Sequence, residues 1–374
     1  MARHDFPSTS ELLELGTKRE HAVTIYAQAT AAQIDLAKTT AKSAMDRAVR
    51  TLREQGASHG LETALQEQLA KVLADESWRR LSRSVAIFVT PDAAEMFVLP
   101  NQLENQMQVG TYFDVGQLVR AIATPQDAYA LTLSSDGWNL WRATGADIVT
   151  EMDVDDEGIE DVADATNRAT VRGRMHARRL HGDSGTKLLQ EQYVKRVHDA
   201  VVKAIDAEDP SATRPLFVFA ADTLLDMYRN IDRGVREMLP VHGNPDELTA
   251  PQIDARVREG LSGINARRAN KRVDKIGDGV KQGIVATDLV DIARAAVGGN
   301  IDTLVYDFTV DLLGRLDNET GELTYDDSGY DLLSRIAVWV LQTGGRVIPV
   351  RDSEIVSNLW NGTAAARLRY PLST

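Results

Sequence analysis

The side chains best suited to chemistry in this chain lie close together. Arg168, Arg172, Arg174, Arg178 and Arg179, with His176 and His181, fill a segment that contains no acid. Guanidinium groups pair bidentately with phosphates, and on an extended arm they add affinity by releasing counterions. The stretch just before it, Asp147 to Asp164, is the opposite, rich in carboxylates and free of lysine and arginine. Two readings stand side by side. In one, the arm faces a polyanion such as RNA, with Lys187 extending the basic run. In the other, it neutralises the acidic stretch within the chain.

The arm closes on Gly182-Asp183-Ser184-Gly185. This phrase surrounds the nucleophile of many serine proteases, but a serine nucleophile needs a base and oxyanion donors held around it. Asp183 and Ser184 are also good capping residues for the helix expected to follow, which is the simpler reading. The carboxylates Asp153, Asp155, Asp156, Glu157, Glu160 and Asp161 lack the alternating ligand pattern and fixed glycine of a calcium loop, and read as a solvated loop. His176, His181, His198 and His242 show no metal-ligand spacing such as an i, i+4 pair. No glycine motif able to cradle a phosphate is found. Cysteine is absent, which excludes disulfides, thiolate metal sites and cysteine nucleophiles. No metal or cofactor is expected, and whether the chain is an enzyme stays open.

These residues sit in a chain of 374 residues, 43% hydrophobic and 26% charged, with a formal net charge of −13. That balance argues against broad, non-specific binding of nucleic acid or anionic lipid, so any RNA contact must be local and basic, and a DNA partner is not expected. No apolar run reaches the roughly 20 residues a membrane span requires. The N-terminus lacks the apolar core of a secretory signal. A cytoplasmic protein of two or three domains is expected.

The elements that position the basic arm follow from periodicity and turn chemistry. Residues 8 to about 82 read as helical, opened by a Ser8/Glu11 capping box, with recurring apolar positions such as Ile25, Ala29, Ile34 and Ala37. Val85 to Leu99 reads as a hairpin around Pro91-Asp92, and Ala128 to Arg142 as a second one around Asp136-Gly137. Leu118 to Ile122 is expected to be helical. The segment 147–185 reads as a long loop. A helix from about Thr186 to Asp206, a strand at Pro215 to Ala220 and a helix from Asp222 to about Leu239 come next. Thr249 with Gln252 opens a helix running to about Lys275, whose Arg267, Arg268, Lys271 and Arg272 read as a solvated face. The final stretch alternates helices (Asp288 to Val297, Asp331 to Gln342) with strands (Thr303 to Phe308, Arg346 to Arg351, Ala365 to Tyr370) and a hairpin-like excursion from Leu313 to Tyr325. That order implies a sheet covered on both faces. Trp138 and Trp141 read as hairpin packing rather than base stacking.

Several phrases in the last stretch resemble the bacterial branch of the archaeo-eukaryotic peptide chain release factor superfamily. They are Asn300-Ile-Asp-Thr-Leu-Val, Asp317-Asn-Glu-Thr-Gly-Glu, Gly344-Gly345-Arg-Val with the helix before it, and Ala364-Ala-Ala-Arg-Leu-Arg-Tyr. The middle region, in its hairpin, loop, long helix and strand, and the hairpin at Val85 to Leu99 resemble the same group. The resemblance implies an α/β protein of three domains. They are a helix-rich N-terminal α/β domain over 1–124, a ribonuclease-H-like middle domain over 125–275 with the loop 147–185, and an α/β/α C-terminal domain over 276–374 akin to ribosomal proteins that bind kinked RNA. In release factors the loop before the long middle-domain helix carries Gly-Gly-Gln, which helps water cleave the peptidyl-tRNA ester. Here the corresponding tip is Gly182, Asp183, Ser184 and Gly185, with separated glycines and no glutamine after them, while Gln190 and Gln192 fall inside the expected helix. No catalytic residue is carried over. The expected function is a ribosome- or tRNA-associated factor without that chemistry, with Arg168, Arg172, Arg174, Arg178, Arg179, His181 and Lys187 as the RNA-facing residues. The alternatives are a hydrolase acting on RNA or an ester through residues 181–187, and a protein-binding scaffold.

Overall fold

The computed structural model describes residues 2–3, 6–30, 33–76, 78, 83–145, 148–154 and 183–372. The chain folds into two units, one formed by Met1–Pro125 with Ser262–Thr374 and the other by Gln126–Leu261. The expected N-terminal and C-terminal segments therefore share one unit.

The N-terminal part opens with a short strand, β1 (Ala2–Arg3), and a helix, α1 (Thr9–Leu15), capped by the Ser8/Glu11 box. The long helix expected next is interrupted, because Ala22–Gln28 forms strand β2. Helices α2 (Ile34–Glu54) and α3 (His59–Leu73) follow, then strands β3 (Ser84–Val89), β4 (Ala94–Leu99) and β5 (Gln106–Gly110), and helix α4 (Gly116–Ala123). The sheet runs β1-β4-β3-β2-β5, which places β2 in its interior. Val23, Ile25 and Ala27 face the cluster built by α2 and α3, while Ala22 and Tyr26 face a second cluster. A strand buried on both faces has no polar alternation, so its apolar residues fit a helical spacing equally well.

The middle unit contains β6 (Ala128–Leu133), β7 (Trp138–Ala143), β8 (Thr150–Glu151), α5 (Asp183–Glu208), β9 (Leu216–Ala220), α6 (Asp222–Ile231), β10 (Met238–His242) and the start of α7 (Ala250–Gly277). The strand order is β10-β9-β6-β7-β8, with β6, β9 and β10 mutually parallel and β7 antiparallel to both β6 and β8. Helix α6 stops at Ile231, not near Leu239, and the residues beyond it lead into strand β10. That strand holds Pro240, which breaks a central strand but is tolerated at an edge, where no ladder partner is needed on one side. Trp138 joins the core under the sheet, and Trp141 donates its Nε1 hydrogen to Thr132 Oγ1 at 3.1 Å, as hairpin packing requires.

The C-terminal part returns to the first unit. It holds β11 (Val285–Ala286), α8 (Leu289–Val297), β12 (Ile301–Asp307), β13 (Leu313–Leu316), β14 (Leu323–Tyr325), β15 (Tyr330–Asp331), α9 (Leu332–Gln342), β16 (Arg346–Val350) and β17 (Ala364–Leu368). The main sheet runs β11-β17-β12-β16. One face, with Leu304, Tyr306 and Ala366, joins α8 and α9 in the cluster that also takes Tyr26, Phe88 and Phe97 of the N-terminal sheet. The other face, with Val305, Ile348 and Val350, is covered by Ala269, Val273 and Ile276 of α7.

Two buried carboxylates lie where these parts of the first unit join. Asp331 caps α9, accepting from the Ser334 amide at 2.6 Å and from the Leu312 amide at 3.2 Å. Asp114 accepts from the Gly116 amide at 2.8 Å, and Ser334 Oγ accepts from the Val115 amide at 2.9 Å. Burial pushes the Asp331 carboxyl well above the carboxylate range, and the charge of Asp114 adds to this against the two amides. Asp114 is raised as well, chiefly by burial. A carboxyl raised in the folded state contributes stability that is complete below its unfolded pKa of about 4 and is lost as pH rises through the folded value. Asp331→Asn keeps the capping oxygen and removes the titration. Its melting temperature relative to wild type should climb as pH is raised from about 4 to about 8, measured by circular dichroism; a difference independent of pH would contradict this account.

Candidate nucleic-acid interface

Helix α5 is the element that carries the end of the basic arm. Its buried stripe, Tyr193, Val194, Val197, Val201 and Ile205, packs against the sheet and α6 through Leu131, Val218 and Leu225. The spacing of those residues is the helical repeat that the sequence shows. The helix begins at Asp183, about one turn before the expected start. Asp183, Ser184 and Gly185 thus form its first turn, and Lys187 is exposed just beyond. Arg168, Arg172, Arg174, Arg178, Arg179, His181 and Gly182 lie outside the described residues, as do Asp155, Asp156, Glu157, Glu160 and Asp161. The chain enters that segment from β8, a two-residue edge strand paired to β7 through Trp141 and Arg142. Two residues carry no period, so the sequence predicts only loop where β8 forms.

The other end of α5 is held by charge. Arg236, 7% exposed, donates to Asp209 Oδ2 at 2.5 Å and to the Asp209 carbonyl at 2.8 Å, and lies 3.2 Å from Asp206 Oδ1. Asp209, itself 6% exposed, also accepts from the Arg214 amide at 2.9 Å and the Thr213 hydroxyl at 3.0 Å. Burial alone would raise the Asp209 carboxyl, but these donors outweigh it and hold the group well below the usual carboxylate range. Glu208 joins the network through Arg142 and through Arg214 at 2.7 Å. Nothing in the sequence pointed to this cluster, since Arg236 and Asp209 are 27 residues apart and match no motif.

Beside β8 is a shallow cavity of about 360 Å³ lined by Trp138, Asn139, Leu140, Glu151, Met152, Asp153 and Val154. Glu151 accepts a hydrogen bond from Asn139 Nδ2. With two carboxylates in its wall, this cavity suits hydrogen-bond donors and cations and not a phosphate. Asp153 is exposed, and among the described residues no group of three or more acidic, histidine or cysteine side chains is placed to hold a metal.

A nucleophile at Ser184 would need a base, and two described histidines belong to this unit. Ser184 and His198 belong to one helix, 198 − 184 = 14 residues apart, or about 21 Å at about 1.5 Å per residue. His198 instead lies against Tyr228, with ring centroids 5.2 Å apart. His242, at the end of β10, has its Nδ1 2.7 Å from Asp222 Oδ1 on the first turn of α6. Helical residues about 21 Å apart do not form a nucleophile–base pair, so His198 is not a base for Ser184.

A mixed α/β protein with several sheets and a charge-segregated middle unit is what these observations define. Residues 129–300 match the family described as Bacterial archaeo-eukaryotic release factor family 3. The resemblance to the bacterial branch of the archaeo-eukaryotic release factor superfamily is thereby shown. No curated protein matches the chain. Among solved structures it is similar to Archaeoglobus fulgidus Pelota, at 11% identity over 78% of this chain and 81% of that one, with a TM-score of 0.36. It is also similar to ribosome-bound archaeal Pelota in a model with ABCE1, at 10% identity over 99% and 96%, TM-score 0.38. A third is S. cerevisiae Dom34, described as a translation termination-like factor, at 12% identity over 75% and 73%, TM-score 0.34. Among the described residues no helix is long and apolar enough to cross a membrane.

Breaking a buried ion pair by removing one partner leaves an uncompensated charge and costs about 3–5 kcal/mol. Arg236→Ala should lower the unfolding free energy by that amount in urea titrations followed by tryptophan fluorescence. A loss below about 1 kcal/mol, as for a surface pair, would show that the network is not what holds α5.

Proposed function

We propose that this protein is a cytoplasmic, ribosome- or tRNA-associated factor that meets RNA through the arm from Arg168 to Lys187. The observation that carries the reading is the matched segment 129–300, which contains the arginine-rich run in a chain of net charge −13. Such a run in an acidic protein localises attraction for phosphates to one place while the rest of the surface repels them.

Two sheets support the fold side of this reading. A sheet ordered β8-β7-β6-β9-β10, antiparallel over its first three strands and parallel over the rest, supports a ribonuclease-H-like middle unit. Parallel β12 and β16 between α8 and α9 on one face and α7 on the other support an α/β/α C-terminal part. The chemistry of peptide release is not part of the proposal. Gly-Gly-Gln occurs nowhere in the sequence, and Gln190 and Gln192 are inside α5, where a helical backbone keeps them from a loop tip. The factor binds and positions, and does not hydrolyse peptidyl-tRNA by that route.

Sedimentation through a sucrose cushion with purified bacterial ribosomes tests this directly. Wild type should comigrate at moderate salt and be released at high salt, because phosphate contacts weaken steeply with ionic strength. Replacing Arg174, Arg178 and Arg179 together by alanine should abolish comigration at moderate salt. Unchanged comigration of the triple variant would remove the arm from the interface.

A further inference from the structure

A second cationic surface lies in the unit formed by 1–125 and 262–374, and the arm plays no part in it. Helix α7 buries Ala269, Val273 and Ile276 against the sheet. Arg268 and Arg272, one turn apart, are exposed beside that buried stripe. The sheet supplies more charge on the same face. Thr303 of β12 pairs with Arg346 of β16 on one side and with Arg367 of β17 on the other. Residues in register on adjacent strands share a face, and Val305 and Ile348, two residues along from Thr303 and Arg346, are the ones α7 covers. Arg346 and Arg367 therefore flank the helix on its own side of the sheet. Arg367 Nη1 lies 3.5 Å from the Lys275 carbonyl in the last turn of α7, where a helix end favours cations.

This clustering works against the fold. Partial burial lowers the pKa of Arg272, and the charges that next lower it are those of Arg346 and Arg268. Among the described residues, neither Arg272 nor Arg346 has a carboxylate within salt-bridge distance. Asp302, beside the row, accepts the hydroxyl of its own neighbour Thr303 at 2.9 Å. Like charges held together without a counter-charge destabilise a folded state, and here the helix holds Arg272 against Arg346 of the strand beneath it. A bound polyanion removes that cost.

We infer that Arg272, Arg346 and Arg367 form a second phosphate-binding surface, whose ligand is the backbone of an RNA. Arg346 and Arg367 stand two strand spacings apart, about 10 Å. A ligand must therefore bring several anions across a broad, flat row, as a polynucleotide does with one charge per residue. Guanidinium forks match the phosphate geometry. The surface goes beyond the arm, sits in the other unit and does not need the arm to bind.

Fluorescence anisotropy with the full chain and a fluorescein-labelled RNA hairpin, titrated at several salt concentrations, tests the inference. Arg272→Gln/Arg346→Gln should weaken binding about tenfold and reduce the slope of log K against log salt by about 1 to 2, as expected for two lost phosphate contacts. The same relative loss should appear in the background of the Arg174/Arg178/Arg179→Ala variant, which separates failure of this surface from failure of the arm. Arg272→Lys/Arg346→Lys, which keeps the charge, should retain most of the affinity. The glutamine variant should melt no lower than wild type, because it relieves repulsion. Affinity and slope equal to wild type, absence of binding by wild type, or a loss of binding that the lysine variant shares to the full would each overturn the inference. Displacement of the hairpin by polyglutamate as effectively as by unlabelled RNA would assign the surface to an acidic protein instead.

Discussion

At the end of α5 remote from the arm, one buried guanidinium closes a network of carboxylates, carbonyls and a hydroxyl. Arg236 lies within 3.2 Å of Asp206 and Asp209, and both members of the shorter pair are almost fully out of water. A charge taken from water at such cost is held by its partner and hydrogen bonds; both oxygens of Asp209 are occupied, while Arg236 Nε is left without an acceptor among the described residues. The consequence for function is positional. The 26-residue helix is fixed at Glu208 and along its buried stripe, so its first turn, where the arm joins, has a defined place in the middle unit.

The unit that contains both ends of the chain solves a different problem. Its N-terminal sheet and its β12-containing sheet contribute to one apolar cluster, and polar groups trapped there find partners: Tyr26 donates to the Asp114 carbonyl at 2.8 Å, and the Asp331 amide donates to Gln108 Oε1 at 2.9 Å. Asp114 and Asp331 sit in this region with raised pKa values, so the join is most stable when protons are retained. The outer face of the β12 sheet is covered by part of α7. The arginines that border that cover stand outside the apolar core, where a ligand can reach them.

Much of this was legible in the residues. The two hairpins, the capping box at Ser8, the start of α7 after Thr249 and Gln252 (whose side chain accepts from the Thr249 amide at 2.9 Å), and the alternating helices and strands after Asp288 all follow from local chemistry. What escaped did so for identifiable reasons. β2 is buried on both faces and so lacks the polar alternation that marks a strand. β8 is too short to have a period, and β10 carries a proline that only its edge position allows. The start of α5 was legible to within one turn. The Arg236 network and the row Arg346–Thr303–Arg367 were not, because strand register and contacts between distant residues decide them and no spacing along the chain reports either.

Charge separation within an acidic chain, with cations concentrated at an arm joined to a fixed helix, is the property on which the functional account rests. Ultraviolet cross-linking of the full chain to ribosomes, followed by mass spectrometry of nucleotide-bearing peptides, reads that property without perturbing it. The account predicts cross-linked peptides from the segment 168–187. Cross-links found elsewhere in the middle unit, with none in that segment, would contradict it.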